Sequence, residues 1–259
     1  MKTTDAPPQT EARGQLVPIE DLEIYYEEHG AGEPLVLLHG FGGSSQNWGP
    51  FVADLAAHHR LIVVDLRGHG DSTNPAGTFT HRQAARDVSR LLDALGVDRF
   101  SAMGMSSGGM ALLHLATGEP GRVDSMVLIS ATTRFPAQAR AIMRRASLRT
   151  MPPEVQAMYR ACAKRGDPQI RALVGQFNRF AESDDDMDFT AARLSTIRAR
   201  TLVVHGDRDH FFPVEIAVEL YRSIPDAALW ILPGGEHVPI FDPSVPFTAT
   251  ALRFLAGRG

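Results

Sequence analysis

The sequence predicts an α/β protein: a doubly wound, mostly parallel sheet interrupted by one α-helical insertion. Three observations predict it. Short runs that are apolar throughout, such as Leu35-Val36-Leu37-Leu38 and Leu61-Ile62-Val63-Val64, alternate with longer stretches of helical period. Runs without a polar alternate position suit strands covered on both faces, as parallel strands are. One long segment, 133–196, breaks the alternation with helical pieces and no convincing strand.

Taken in order, residues 15–19 and 22–26 read as an antiparallel edge pair ahead of the buried strand at 35–38. A helix over 46–57 leads to the strand at 61–64. Ala84, Val88, Leu91, Leu92 and Leu95 recur at helical spacing, which predicts a helix over 80–95 with Gly96 at its C-terminal stop. A strand from Phe100 to Met103 is followed by a helix over 107–117, and a further strand spans Val123–Ile129. After the insertion come strands at 201–204 and 228–232 and a last helix over 245–255. The expected organisation is therefore a mobile tail over 1–13, a core formed by 14–132 and 197–259, and a helical cap over 133–196.

A chain of 259 residues, 44% hydrophobic and 22% charged, has enough apolar material for one large core. The formal net charge of −4 argues against nucleic acid as a partner. The single cysteine, Cys162, excludes an intramolecular disulfide and suits a reducing compartment. The first ten residues are polar and contain Pro7 and Pro8, unlike a secretory signal, and no apolar run approaches the ~18 residues of a membrane span. These features predict a cytoplasmic protein that acts on a small molecule, with neither membrane nor nucleic acid as partner; oligomeric state is not legible.

The sharpest chemical signal is Gly104-Met105-Ser106-Ser107-Gly108-Gly109, which follows a strand and opens a helix. A nucleophile on so tight a turn needs small neighbours, which Gly104 and Gly108 supply. The turn also puts Ser106 at a helix N-terminus, where free N–H groups favour developing negative charge. The plainer alternative is a glycine-rich turn with a capping serine. No H-E-x-x-H or C-x-x-C spacing marks a metal site, and Gly40-Phe41-Gly42-Gly43 lacks dinucleotide-binding spacing, so neither metal nor cofactor is expected.

With four other segments, this elbow resembles the α/β-hydrolase superfamily over about residues 16–255. The segments are His39-Gly40-Phe41-Gly42-Gly43, Asp65-Leu66-Arg67-Gly68-His69-Gly70-Asp71-Ser72, His205-Gly206-Asp207-Arg208-Asp209 and Gly234-Gly235-Glu236-His237. The resemblance implies a triad in chain order nucleophile, acid, histidine: Ser106, Asp209 and His237. Asp207 is then a loop-fixing residue, and His58, His59 and His81 fall in helical or surface contexts. It implies an oxyanion hole from the backbone N–H groups of Phe41 and Ser107. The Asp65–Ser72 segment is read as structural, and Trp48 as packing. Substrate-pocket candidates are Phe41, Met105, Met143, Met158 and Phe177.

The activity implied is hydrolysis of a small or medium carboxylic ester or lactone. Hydrolysis of a C–C bond in a diketone, cofactor-free perhydrolysis and aminopeptidase chemistry stay open on the same fold, as does a triad-bearing ligand receptor. A serine at the elbow argues against the epoxide-hydrolase and dehalogenase branches, which use aspartate there. The arginine-rich insertion raises an anionic substrate, against which stand Asp184, Asp185, Asp186 and Asp188 in the same segment.

Overall fold

The computed structural model describes residues 14–257; the tail expected over 1–13 lies outside the described residues. Eight strands form one sheet, in spatial order β1-β2-β4-β3-β5-β6-β7-β8. They are β1 (Gly14–Ile19), β2 (Leu22–His29), β3 (Pro34–Leu38), β4 (Arg60–Val64), β5 (Phe100–Met105), β6 (Val123–Ile129), β7 (Arg200–Gly206) and β8 (Ala227–Leu232). The β1–β2 and β2–β4 pairings are antiparallel and all others parallel.

The unbroken apolar runs are explained by the two faces of this sheet. In β3, Leu35 and Leu37 face a cluster with Trp48, Phe51 and Phe247, whereas Val36 and Leu38 face a cluster with Leu91, Leu112 and Phe180. In β4, Leu61 and Val63 divide from Ile62 and Val64 in the same way. On one face lie α1 (Gly49–Ala56) and α9 (Phe247–Leu255); on the other lie α2 (His81–Ala94), α3 (Ser107–Gly118) and α8 (Val214–Ser223). The α3 helix is buried almost all round, and its Gly108-Gly109-Met110-Ala111-Leu112-Leu113 sequence offers no polar face to water. The Thr80 side chain caps α2 by accepting from Gln83 N–H at 3.0 Å, and Gly96 closes the other end at φ +67°.

Two helices differ from expectation. The helix predicted over 46–57 is a short 3-10 turn, Ser45–Trp48, followed by α1. Pro50 has no N–H to donate and so restarts the helix in its first turn. The last helix begins at Phe247, after Pro246, rather than at Val245.

Between β6 and β7 the chain leaves the sheet through α4 (Ala137–Arg145), α5 (Pro153–Cys162), α6 (Gly166–Phe180) and α7 (Ala191–Leu194). Side chains fasten this excursion to the loop after β4. The Gln169 amide donates to the carbonyls of Gly68 and Gly70, both at 2.9 Å, and Arg165 donates to those of Asp71 and Ser72. The same loop is held from below by Asp65, whose carboxylate accepts from Ser45 N–H at 2.6 Å and Asp71 N–H at 2.9 Å. No helix among the described residues is long and apolar enough to cross a membrane.

A buried ion pair ties the loop to α2: Arg67 Nε and Nη2 donate to the two oxygens of Asp87 at 2.5 and 2.7 Å. Removing one partner strands the other charge, so Asp87→Ala should lower unfolding free energy by about 3–5 kcal/mol in a denaturant titration. An exposed pair, Arg90–Glu20, should cost under ~1 kcal/mol when broken the same way. Equal, small losses at both would show that the Arg67–Asp87 pair is not desolvated.

Candidate active site

The carboxyl ends of β5, β7 and β8 bring three side chains together. Ser106 sits between β5 and α3 with φ +48° and ψ −113°, a conformation rarely adopted by L-residues and worth about 1–3 kcal/mol of strain. The positions two residues to either side must be glycine. A Cβ on Gly104 would lie 2.5 Å from Gly108 C, and one on Gly108 would lie 2.4 Å from Leu38 O. Ser106 N–H donates to Ile129 O at 2.7 Å, which fastens the turn to the neighbouring strand.

His237 stands on the loop after β8. That loop crosses the end of β7 so closely that a Cβ on Gly206 would lie 2.2 Å from Gly235 O. Val238 adopts φ +55°, unusual for a β-branched residue, and its N–H donates to Ser130 Oγ at 3.0 Å. His237 Nε2 is 3.0 Å from Ser106 Oγ, and its Nδ1 is 2.7 Å from Asp209 Oδ2.

Asp209 lies on the loop after β7 with its side chain fully buried. Oδ1 accepts from Phe211 N–H at 2.8 Å and Phe212 N–H at 3.1 Å. Burial alone would raise this carboxyl, but the hydrogen bond and charge of His237 outweigh it, with Phe212 N–H and His205 adding to them, and the pKa falls below the ordinary value. An ionised carboxylate only accepts, so Nδ1 of His237 carries a proton; whenever the ring is neutral, Nε2 faces the serine hydroxyl as an acceptor. Such a row can withdraw the hydroxyl proton as the oxygen attacks an electrophile. Asp207, two residues earlier, points elsewhere and accepts from Gly234 N–H at 2.6 Å.

The loop after β3 passes beside Ser106: a Cβ on Gly40 would lie 3.6 Å from both Met105 O and Ser106 Cβ. His39 anchors the loop from the interior. Its Nδ1–H donates to Gly40 O at 2.7 Å and its Nε2 accepts from Leu66 N–H at 3.0 Å. Burial holds its pKa down, consistent with that neutral tautomer. Ser107 opens α3, where a backbone N–H has no intrahelical partner.

Of the predicted pocket residues, Phe41 and Phe177 stack with ring centroids 5.7 Å apart. Phe177 also meets Phe211 at 6.3 Å, and Phe211 lies 4.9 Å from the His237 ring. Phe211, which packs against the catalytic-candidate imidazole, is not singled out by the sequence; its one sign there is its place two residues after Asp209. Met105 and Met143 are each 2% exposed and fill the core clusters on opposite faces of the sheet. A methionine at a core position and one in a pocket look alike in sequence. Met158 is half-buried beside Tyr159, in the cluster that α5 and α6 share. Trp48 is fully buried packing, as expected. His81, expected in a helical or surface context, is the first residue of α2 and is completely buried.

The family model described as alpha/beta hydrolase fold matches residues 33–244. The chain is 30% identical over 240 residues to a protein of Azorhizobium caulinodans named "Putative carbamate hydrolase RutD", covering 84% of this chain and 89% of the relative. It is 29% identical to the pimeloyl-[acyl-carrier protein] methyl ester esterase of Nitrosospira multiformis, over 90% of this chain and 98% of that protein. A crystal structure of a hydrolase from Pseudomonas aeruginosa superposes with a TM-score of 0.78 at 26% identity, covering 95% of this chain and 99% of the other. Sheet order, elbow and family match agree, and the chain belongs to the α/β-hydrolase family.

Proposed function

We propose that the protein is a serine hydrolase that cleaves a small or medium carboxylic ester, lactones included, through an acyl-enzyme on Ser106. The observation that carries this reading is the continuous row Asp209–His237–Ser106, with gaps of 2.7 and 3.0 Å. In this reading Ser106 Oγ attacks the carbonyl carbon while its proton passes to His237 Nε2, and Asp209 stabilises the imidazolium. The carbonyl oxygen, now an oxyanion, accepts from the N–H groups of Phe41 and Ser107, each typically worth about 3–4 kcal/mol to the transition state. His237 then protonates the departing alcohol. It next takes a proton from water, which attacks the acyl carbon, and the acid leaves as Ser106 recovers its hydrogen.

Residues 14–132 and 197–259 supply this chemistry, and 133–196 act as a cap that selects the substrate. Phe41, Phe177 and Phe211 give that substrate an apolar wall, with Met158 farther out. Five of the cap arginines are engaged within the protein. Arg134, Arg140, Arg144 and Arg193 pair with Glu219, Asp184, Glu182 and Asp188, while Arg165 is spent on loop carbonyls. The lone thiol, Cys162, is buried and fits a cytoplasmic setting.

The test joins a fluorophosphonate probe to a turnover panel of p-nitrophenyl esters of rising chain length, lactones and a carboxylated diketone. The expected result is a single adduct on the Ser106 peptide and multiple turnovers on neutral esters. An adduct on another serine, or preference for the diketone, overturns the assignment. One turnover with a retained acyl group would instead indicate a ligand receptor.

A further inference from the structure

A second hydrogen-bonded row of the same residue types lies behind the first. Ser107 Oγ is 3.0 Å from His81 Nε2, and His81 Nδ1 is 2.7 Å from Asp186 Oδ2. All three are closed to solvent, at 3%, 0% and 4% exposure, so Ser107 is not placed to react with a substrate. The row joins three separate parts of the chain: the elbow, the first residue of α2, and the stretch between α6 and α7.

Asp186 is clamped from several sides. Its carboxylate also accepts from the N–H groups of His81 at 2.8 Å and Arg82 at 3.1 Å, capping α2 from a distance. Its backbone carbonyl accepts from His114 Nε2 at 2.7 Å. Ser107 and His114 are seven residues apart on α3, so they lie on one face two turns apart. Both are tied to Asp186, one through His81 and one directly, which fixes α3 at two points against the helical excursion. Rings of Phe79, Phe135 and Phe180 surround His81 at 5.4, 5.9 and 5.0 Å. Burial would raise the Asp186 carboxyl, yet the His81 side chain and the two N–H donors outweigh it and bring it down to about 2. The ionised carboxylate fixes the His81 proton on Nδ1; in the neutral ring Nε2 then accepts from Ser107 Oγ–H.

From this geometry we infer that His81 and Asp186 are positioning residues for the oxyanion hole: they hold Ser107, and so couple the seating of the 133–196 segment to the aim of the Ser107 N–H. The inference rests on the proposed role of that N–H as an oxyanion donor. An apolar filling would keep such a buried space as stable as a polar row does, so stability alone does not call for one. This row ends on the residue that follows the strained Ser106 peptide, where a small rotation re-aims an amide. Displacement of a donor by a fraction of an ångström weakens a transition state much more than a ground state.

The test compares wild type with Ser107→Ala and Asp186→Asn. Asn at 186 removes the charge and keeps only one of the two acceptor oxygens, so either the shared acceptor of His81 N–H and Nδ1 or the acceptor of Arg82 N–H is lost. Three quantities are read on an ester the wild type turns over: kcat and KM, inhibition by a trifluoromethyl ketone, and inhibition by the matching methyl ketone. The trifluoromethyl ketone adds to the serine as an oxyanion; the methyl ketone binds unreacted. Each variant should lose about 10–100-fold in kcat with KM within about twofold. Trifluoromethyl-ketone affinity should fall by the same factor, and methyl-ketone affinity should hold. The double variant should lose little more than either single one, since both interrupt one row. A lowered melting temperature with wild-type kcat and an unchanged ratio of the two ketone affinities would overturn the inference. If Ser107→Ala does not fold, Asp186→Asn carries the same readouts. Failure of the underlying reading is separate: the wild type itself would then form no trifluoromethyl-ketone adduct on Ser106.

Discussion

Ser106→Ala is expected to yield a folded protein whose ester turnover has fallen by about 10⁴–10⁶-fold. The substitution removes one oxygen and leaves the turn intact. Ser106 N–H keeps its bond to Ile129 O, Gly104 and Gly108 keep their clearances, and alanine bears the φ of +48° no worse than serine does. What is lost is the atom at 3.0 Å from His237 Nε2. The residual rate would come from substrate binding and the backbone N–H groups, which the substitution does not touch. The check is kcat/KM on the best ester of the panel, with a thermal melt to verify folding. A folded variant with turnover within tenfold of wild type would show that the hydroxyl takes no part in the reaction.

Asp209→Asn is expected to cost about 10⁴-fold in kcat, against less than about tenfold for Asp207→Asn. Both aspartates follow β7 and both accept backbone hydrogen bonds, so the contrast isolates what each carboxylate does. Asp209 Oδ2 accepts the Nδ1 proton of His237, while Asp207 accepts from Gly234 N–H. An amide at 209 can place an N–H toward Nδ1. That favours the tautomer with the proton on Nε2, where a base needs a lone pair. The charge that would stabilise an imidazolium is gone as well. Pre-steady-state measurement of acylation separates this effect from product release. A larger loss at 207 than at 209 would reassign the acid.

The parts of this design that the sequence exposes are those set by local pattern. Unbroken apolar runs such as Leu35–Leu38 report strands covered twice, and the alternation of Leu35 and Leu37 with Val36 and Leu38 between the two core clusters is the physical reason. The elbow is legible because its steric demand falls on residues two positions away, Gly104 and Gly108. The break at Gly49-Pro50 was also written in the chain, and the helical period around it masked it. Contacts set by tertiary approach were not legible. His81 and Asp186 are 105 residues apart, and neither carries a local sign of the other. Whether Met143 faces the core or a pocket, and whether Phe211 turns toward His237, depends on how helices and loops settle on the sheet. Asp207 and Asp209 differ only in which way one turn points them; the family resemblance, not the spacing, chose between them.

The backbone at Ser106 has a consequence for how such a chain can change over generations. Glycine would sit in that conformation without protest, and the molecule would be sturdier for it. On the proposed mechanism, selection for heat tolerance alone would pull this position toward the one residue that silences it, and only a standing need for turnover would hold the hydroxyl in place.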